Sequence, residues 1–222
     1  MTHTRSVQGP EGWRLVIPAN WATLSTDPGV RNAQIKRLLD RQFKGTPRDE
    51  LILARVEADR RLKRDLSRAA ENGVTQLHAL VDPIKGLPVS ATLLVAQLYV
   101  GSDREVAQGL KRLLGDAKGV LEIDELTLGG VPAIRRRRRA LEPVGEEAEA
   151  PELWHTHVDY MVQISLDDLL VLSFVTSTDP LVDELTFVFD SIAETLHQGD
   201  SALEWEPKHY VPAAERAEAP DH

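Results

Sequence analysis

Apolar and polar positions follow two different periods along this chain, and the change falls at Asn72-Gly73. Before it, Trp13 to Pro18 alternates through Trp13, Leu15 and Ile17 and reads as a short strand stopped by Pro18, with a loop through Asp27, Pro28 and Gly29 after it. Arg31 to Phe43 carries Ile35, Leu38 and Leu39 at helical spacing and ends at Gly45, Thr46 and Pro47. From Asp49 to Ala70, Leu51, Ala54, Ala58, Leu62, Leu66 and Ala69 form a single stripe at three- and four-residue steps, which predicts a long amphipathic helix.

After Gly73 the period is two. Val74 to Val81, Pro88 to Val100, Gly119 to Leu128, Val131 to Leu141, Leu153 to Ile164 and Asp168 to Thr176 read as strands, with Gly129-Gly130 as a hairpin turn. A helix from Asp103 to Leu114, opened by Ser102 and Glu105 at capping-box spacing, interrupts them. A last helix runs from Pro180 to Leu196, with Asp179 as its expected N-cap and Leu181, Leu185, Val188, Phe189, Ile192 and Leu196 as its buried stripe.

Strands joined by short turns pair antiparallel. The expected fold is therefore α+β, a mainly antiparallel sheet of six or seven strands with helices packed on it. That order of elements, with Gly12-Trp13-Arg14-Leu15-Val16-Ile17-Pro18-Ala19-Asn20-Trp21 near the start and Phe189-Asp190-Ser191-Ile192-Ala193-Glu194-Thr195-Leu196 near the end, resembles the PsbP-like family of α/β/α sandwich proteins over residues 11 to 196. Members of that family are mostly non-catalytic binding proteins and chaperones, so the resemblance implies a binding role with no particular ligand. Arginine outnumbers lysine 19 to 7, which suits a GC-rich genome and a bacterial, actinobacterial member.

Charge divides the chain further. Glu142 to Glu152 holds five acidic residues and no basic one, while His197 to His222 holds six acidic and two basic; together they account for the whole net charge of −9. Rich in Ala, Glu and Pro, these segments read as an acidic loop insertion (142–152) and an acidic, largely disordered tail (197–222) on a single neutral domain spanning 1–196. There is no cysteine, which removes disulfides, thiolate metal sites and thiol nucleophiles. The stretch Val89 to Val100 is too short to cross a bilayer, and Met1 to Pro10 has no apolar core, so a cytoplasmic protein without integral membrane association is expected.

Two constellations could carry chemistry. Arg135 to Arg139 invites readings as a nucleic-acid or anionic-lipid site, yet on a strand Arg135, Arg137 and Arg139 point one way and Arg136 and Arg138 the other. Glu146, Glu147 and Glu149 are the expected counterions. His155, His157 and Asp159 share one face of their strand, and His-x-His-x-Asp resembles the opening of the zinc motif of metallo-β-lactamase-like hydrolases, although Tyr160 stands where that motif continues with His. A hairpin centred near Glu147 would set Arg139 by His155, Arg137 by His157 and Arg135 by Asp159, a solvent-facing polar ladder whose cations oppose a dication. Trp13, Trp21 and Trp154 are expected to pack on the sheet, and the basic outer face of the long helix to be solvated or to dock an acidic partner.

No nucleophile elbow, phosphate-binding loop, dinucleotide fingerprint or His-Glu-x-x-His helix is present. The expectation is a non-catalytic protein-binding module, an adaptor or chaperone, with no cofactor and no metal. Its contacts would run through Arg135, Arg137, Arg139, His155, His157, Trp205 and Tyr210, and its partner is an unidentified protein rather than nucleic acid. A zinc hydrolase built on His155, His157 and Asp159, or a peripheral lipid or nucleic-acid binder built on Arg135–Arg139, is the alternative.

Overall fold

The computed structural model describes residues 4–9, 12–43, 48–84, 86–100, 114–143 and 151–199. The predicted helix Asp103–Leu114 lies almost wholly outside these residues, as do the centre of the acidic insertion (144–150) and the tail from Asp200 onward with Trp205 and Tyr210. Ten strands are described: β1 (Thr4–Gln8), β2 (Trp13–Pro18), β3 (Trp21–Ser25), β4 (Val74–Leu80), β5 (Thr92–Tyr99), β6 (Val120–Leu128), β7 (Val131–Pro143), β8 (Glu152–Gln163), β9 (Asp168–Thr176) and β10 (His197–Gln198). The helices are α1 (Pro28–Gln42), α2 (Arg48–Glu71) and α3 (Val182–Ala193), the last preceded by a single 3-10 turn at Asp179–Leu181.

Seven strands form an antiparallel sheet in the order β3-β4-β5-β9-β8-β7-β6, giving the expected α+β fold. The predicted strand at Trp13–Pro18 forms but belongs elsewhere. As β2 it is the centre of a separate sheet, flanked by β1 and β10, and β3 takes the edge place in the main sheet. His197 and Gln198, assigned to the tail by composition, close that small sheet instead.

The two faces of the main sheet are filled differently. On one, Leu93, Val95, Val158, Tyr160, Val162, Leu170, Leu172 and Phe174 meet the small sheet through Trp13, Leu15 and Ile17, and α3 through Leu185, Phe189 and Ile192. Phe174 stacks on Phe189 with ring centroids 4.9 Å apart. On the other, Leu24 of β3 packs with Ile35 and Leu39 of α1 and Leu66 of α2. The antiparallel α1/α2 pair is pinned at both ends, by Arg31 to Ser67 (2.8 Å) and by an ion pair between Arg55 and Asp40. Asp27 caps α1 by accepting from the Gly29 amide, with Pro28 in the first turn, so the helix starts three residues before the apolar period becomes visible.

Backbone geometry fixes how β6 and β7 meet. Gly129 and Gly130 both have positive φ, as a two-residue hairpin requires, and set Leu128 opposite Val131. At the other end, Gly119 has φ +82° and sits against the Arg139 carbonyl so closely that a Cβ would overlap its oxygen.

Candidate functional site

The strands carrying both constellations, β7 and β8, pair continuously from Ala133↔Val162 to Pro143↔Glu152. The register sets Arg135 opposite Tyr160, Arg136 opposite Asp159, Arg137 opposite Val158, Arg138 opposite His157 and Arg139 opposite Thr156. This is one residue away from the hairpin expected from Glu147, and a one-residue shift exchanges faces. Hence the even-numbered arginines, not Arg135, Arg137 and Arg139, share a face with the histidines and Asp159.

Arg135 and Arg137 face α3, and Arg139 the 3-10 turn that precedes it. Arg135 donates to Asp190 through Nε (2.9 Å) and Nη2 (3.3 Å) and to Glu122 of β6 (3.0 Å). Arg137 donates to Asp183 at 2.9 Å, and Arg139 to both oxygens of Asp179 at 2.9 and 2.7 Å. Along the run from the 3-10 turn into α3, the four-residue step from Asp179 to Asp183, about 6 Å if helical, nearly matches the two-residue strand step of about 6.7 Å from Arg139 to Arg137, whereas Asp190 lies seven residues, about 10.5 Å, beyond Asp183. Tyr160 also donates to Asp190. Burial, then the Asp190 charge, pushes the Tyr160 phenol up, so it stays a donor. Burial works against the charge on Arg135, but the hydrogen bond and charge of Asp190 outweigh it and raise the guanidinium further. Asp179, expected as an N-cap, makes no capping bond and serves as an anchor for Arg139.

The opposite face holds a buried polar row. His157 is 7% and Asp159 4% exposed, so the ladder expected on a solvent-facing side is interior. Arg136 donates to Asp159 Oδ2 (2.7 Å from Nη2, 3.2 Å from Nε), and Ser173 donates to Oδ1 at 2.6 Å. Arg138 approaches His157 Nδ1 at 3.0 Å and Glu142 Oε1 at 3.2 Å; Glu142 Oε1 is in turn 3.1 Å from His157 Nε2. A guanidinium only donates, so Nδ1 must be the acceptor and the neutral ring carries its proton on Nε2, which lies near Glu142 without making a hydrogen bond. Burial, with the Arg138 charge second, lowers the His157 pKa; Glu142 and Asp159 only partly oppose this.

His155, His157 and Asp159 do not converge on one point. Both Asp159 oxygens are engaged, the His155 and His157 rings lie 6.3 Å apart, and His157 Nδ1 faces a cation. Among the described residues no group of three or more His, Asp or Glu is placed to hold a metal ion. Each of the five arginines is paired with a carboxylate of the described residues, Asp190, Asp159, Asp183, Glu142 and Asp179 in order, while Glu146, Glu147 and Glu149, the expected counterions, lie outside the described residues.

What the register leaves exposed is the far end of the hairpin. The β6 ladder ends at Arg138 and the β9 ladder at Thr156, so among the described residues Ala140–Pro143 and Glu152–His155 continue as a two-stranded ribbon. Leu141 pairs with Trp154 on one side of it, and Leu153 lies on the other. Trp154, expected to pack on the sheet, is 48% exposed, and Leu141 and Leu153 are similarly open. The Arg139 guanidinium sits 4.7 Å above the Trp154 ring while bound to Asp179, which fixes the indole against the body. Trp154 was the signal available in sequence; its exposure depends on where β6 and β9 stop.

A cleft of about 310 Å³ between β3 and α1 is lined by Trp21, Thr23, Gln34, Arg37, Leu38 and Arg41, among others. Its polar groups serve the scaffold: Gln34 accepts from the Ser25 amide and Arg41 pairs with Asp82.

No family model matches the chain, and no curated protein matches it. Among solved structures it is similar to the solution structure of cyanobacterial PsbP (CyanoP) from Synechocystis sp. PCC 6803, at 12% identity, covering 90% of this chain and 94% of that one, with a TM-score of 0.46.

Proposed function

We propose that this chain is a protein-binding module whose contact site is the β7–β8 ribbon centred on Trp154. The observation that carries the reading is a half-exposed tryptophan paired with an exposed leucine on a projecting ribbon and held in place by an anchored arginine. Tryptophan and arginine dominate the energetics of protein contacts, and a side chain fixed before binding loses little entropy on docking. Arg135 and Arg137 then act as positioning residues that hold α3 to the sheet, and Arg139 both positions and flanks the contact. A cysteine-free adaptor or chaperone of a bacterial cytoplasm is the form of module this suits. Among the described residues no helix is long and apolar enough to cross a membrane.

The test is affinity capture from the native host with wild type, Trp154→Ser and an Arg61→Ser control. The reading expects a protein retained by wild type and control but reduced at least tenfold by Trp154→Ser. Equal recovery from all three would reject it.

A further inference from the structure

Scaffold contacts use only part of the polar lining of the cleft between β3 and α1. Its helical wall is one face of α1, formed by Gln34, Arg37, Leu38 and Arg41. Gln34 is oriented by the Ser25 amide at 2.6 Å: a backbone N–H only donates, so the side-chain oxygen sits there and the NH2 group is left as a donor. Arg37 donates through Nε to the Ala33 carbonyl of its own helix at 3.3 Å and pairs with no carboxylate among the described residues. Arg41 reaches Asp82 through Nη2 at 3.3 Å, and both partners stay about half exposed.

The acid three residues beyond Arg37 is turned elsewhere. Lys36 holds one oxygen of Asp40 at 2.7 Å and Arg55 of α2 holds the other. Arg37 and Arg41 are therefore like charges four positions apart on one helix face, an arrangement that repels, and among the described residues no carboxylate lines the cleft. The side-chain groups left over, on Gln34, Arg37 and Arg41, are all donors. The rest of the lining is largely apolar, with Leu38 and Ala22 half-buried and Trp21 fixed edge-on against Phe189.

We infer that this cleft binds a small organic anion, a carboxylate or a phosphate monoester, with its oxyanion between the guanidinium groups of Arg37 and Arg41 and its apolar body against Leu38, Ala22 and Trp21. Guanidinium groups match both oxyanions through their forked N–H donors, and the Gln34 NH2 adds a neutral one. A volume of about 310 Å³ is at the small end of ligand pockets, about 300–1,000 Å³, so the ligand is a short-chain molecule. The site is independent of the ribbon. In the order β3-β4-β5-β9-β8 the two lie four strand positions apart, about 19 Å, so a change at one leaves the other in place.

Titration of the full chain followed by amide NMR tests this, with hexanoate, hexyl phosphate, inorganic phosphate and hexylamine as probes. Hexanoate or hexyl phosphate should shift the amides of Ala22, Thr23 and Leu38 saturably, and the tighter of the two identifies the head group. Inorganic phosphate should bind about tenfold more weakly than hexyl phosphate, the worth of roughly two buried methylenes, and hexylamine should not bind. Arg37→Gln changes an exposed side chain, so it should keep the wild-type circular dichroism and melting temperature while weakening the binding of either amphipathic anion about tenfold. Arg61→Gln, on the outer face of α2, should bind as wild type. No saturable shift with either amphipathic anion, hexylamine or inorganic phosphate binding equally well, or unchanged affinity in Arg37→Gln would each overturn the inference.

Discussion

Asp159 is 4% exposed, and its two oxygens are held by different groups, Arg136 on one and Ser173 on the other. Removing the carboxylate leaves a guanidinium that is itself mostly buried without a counterion, and breaking such a pair costs about 3–5 kcal/mol. Asp159→Ala should lower unfolding stability by that order in urea titration, whereas Arg136→Met with Asp159→Leu should recover much of it, since an apolar pair of similar volume leaves no charge unpaired. His157 makes a prediction of opposite chemistry. Its folded pKa lies below its ordinary 6.5, so the unfolded chain binds more protons and stability rises with pH through that range. The neutral form is fully compatible with the fold above 6.5, and stability falls as pH drops below it. Protonation also makes Nδ1 a donor facing Arg138, which breaks that hydrogen bond. Histidine-resolved NMR titration should find His157 titrating below 6.5, and His157→Gln should flatten the loss of urea stability between pH 7.5 and 5.

At the scale of elements, α3 and β7 are joined by a graded set of ion pairs rather than by the arginine count. Arg135 is shielded and shares Asp190 with Tyr160, whereas Asp183 opposite Arg137 is 60% exposed. Asp190→Asn should therefore cost about 1.5–3 kcal/mol, a loss typical of hydrogen bonds to charged groups, and Asp183→Asn no more than about 1 kcal/mol. Thermal melts of the two variants order them directly. Gly119→Ala should destabilise by more than about 1 kcal/mol, because the residue needs positive φ and has no room beside the Arg139 carbonyl. Most of the described strands and the stripes of all three described helices are legible from periodicity, since burial on one face writes period two or 3.6 into the sequence. Three strands are not. Trp21–Ser25 is five residues long and abuts a turn, while Thr4–Gln8 and His197–Gln198 are pinned by pairing with β2 rather than by their own apolar pattern. The β7–β8 register was off by one because residues 144–150 contain no turn signature to centre the hairpin, and that single step moved the buried polar row to the wrong arginines.

For the whole molecule, the net charge of −9 is a poor guide to the folded surface. Its most basic run is consumed by carboxylates of α3, β6, β7, β8 and the 3-10 turn, so guanidinium groups that look like an anion site in sequence act as internal fasteners. What they fasten is the root of the projecting ribbon, with Arg139 bridging Asp179 and the Trp154 ring. Structure and contact are thus linked through one strand: β7 binds the helix with its middle and presents Leu141 at its end. The most direct test of this account is photo-cross-linking in the native host, with a photoreactive amino acid in place of Leu141, beside intact Trp154, and in place of Arg61 as a surface control. A discrete protein adduct from position 141 and none from position 61 is the expected result. Absence of any protein adduct at 141, or the same adducts from both positions, would contradict the assignment of the ribbon as the contact site.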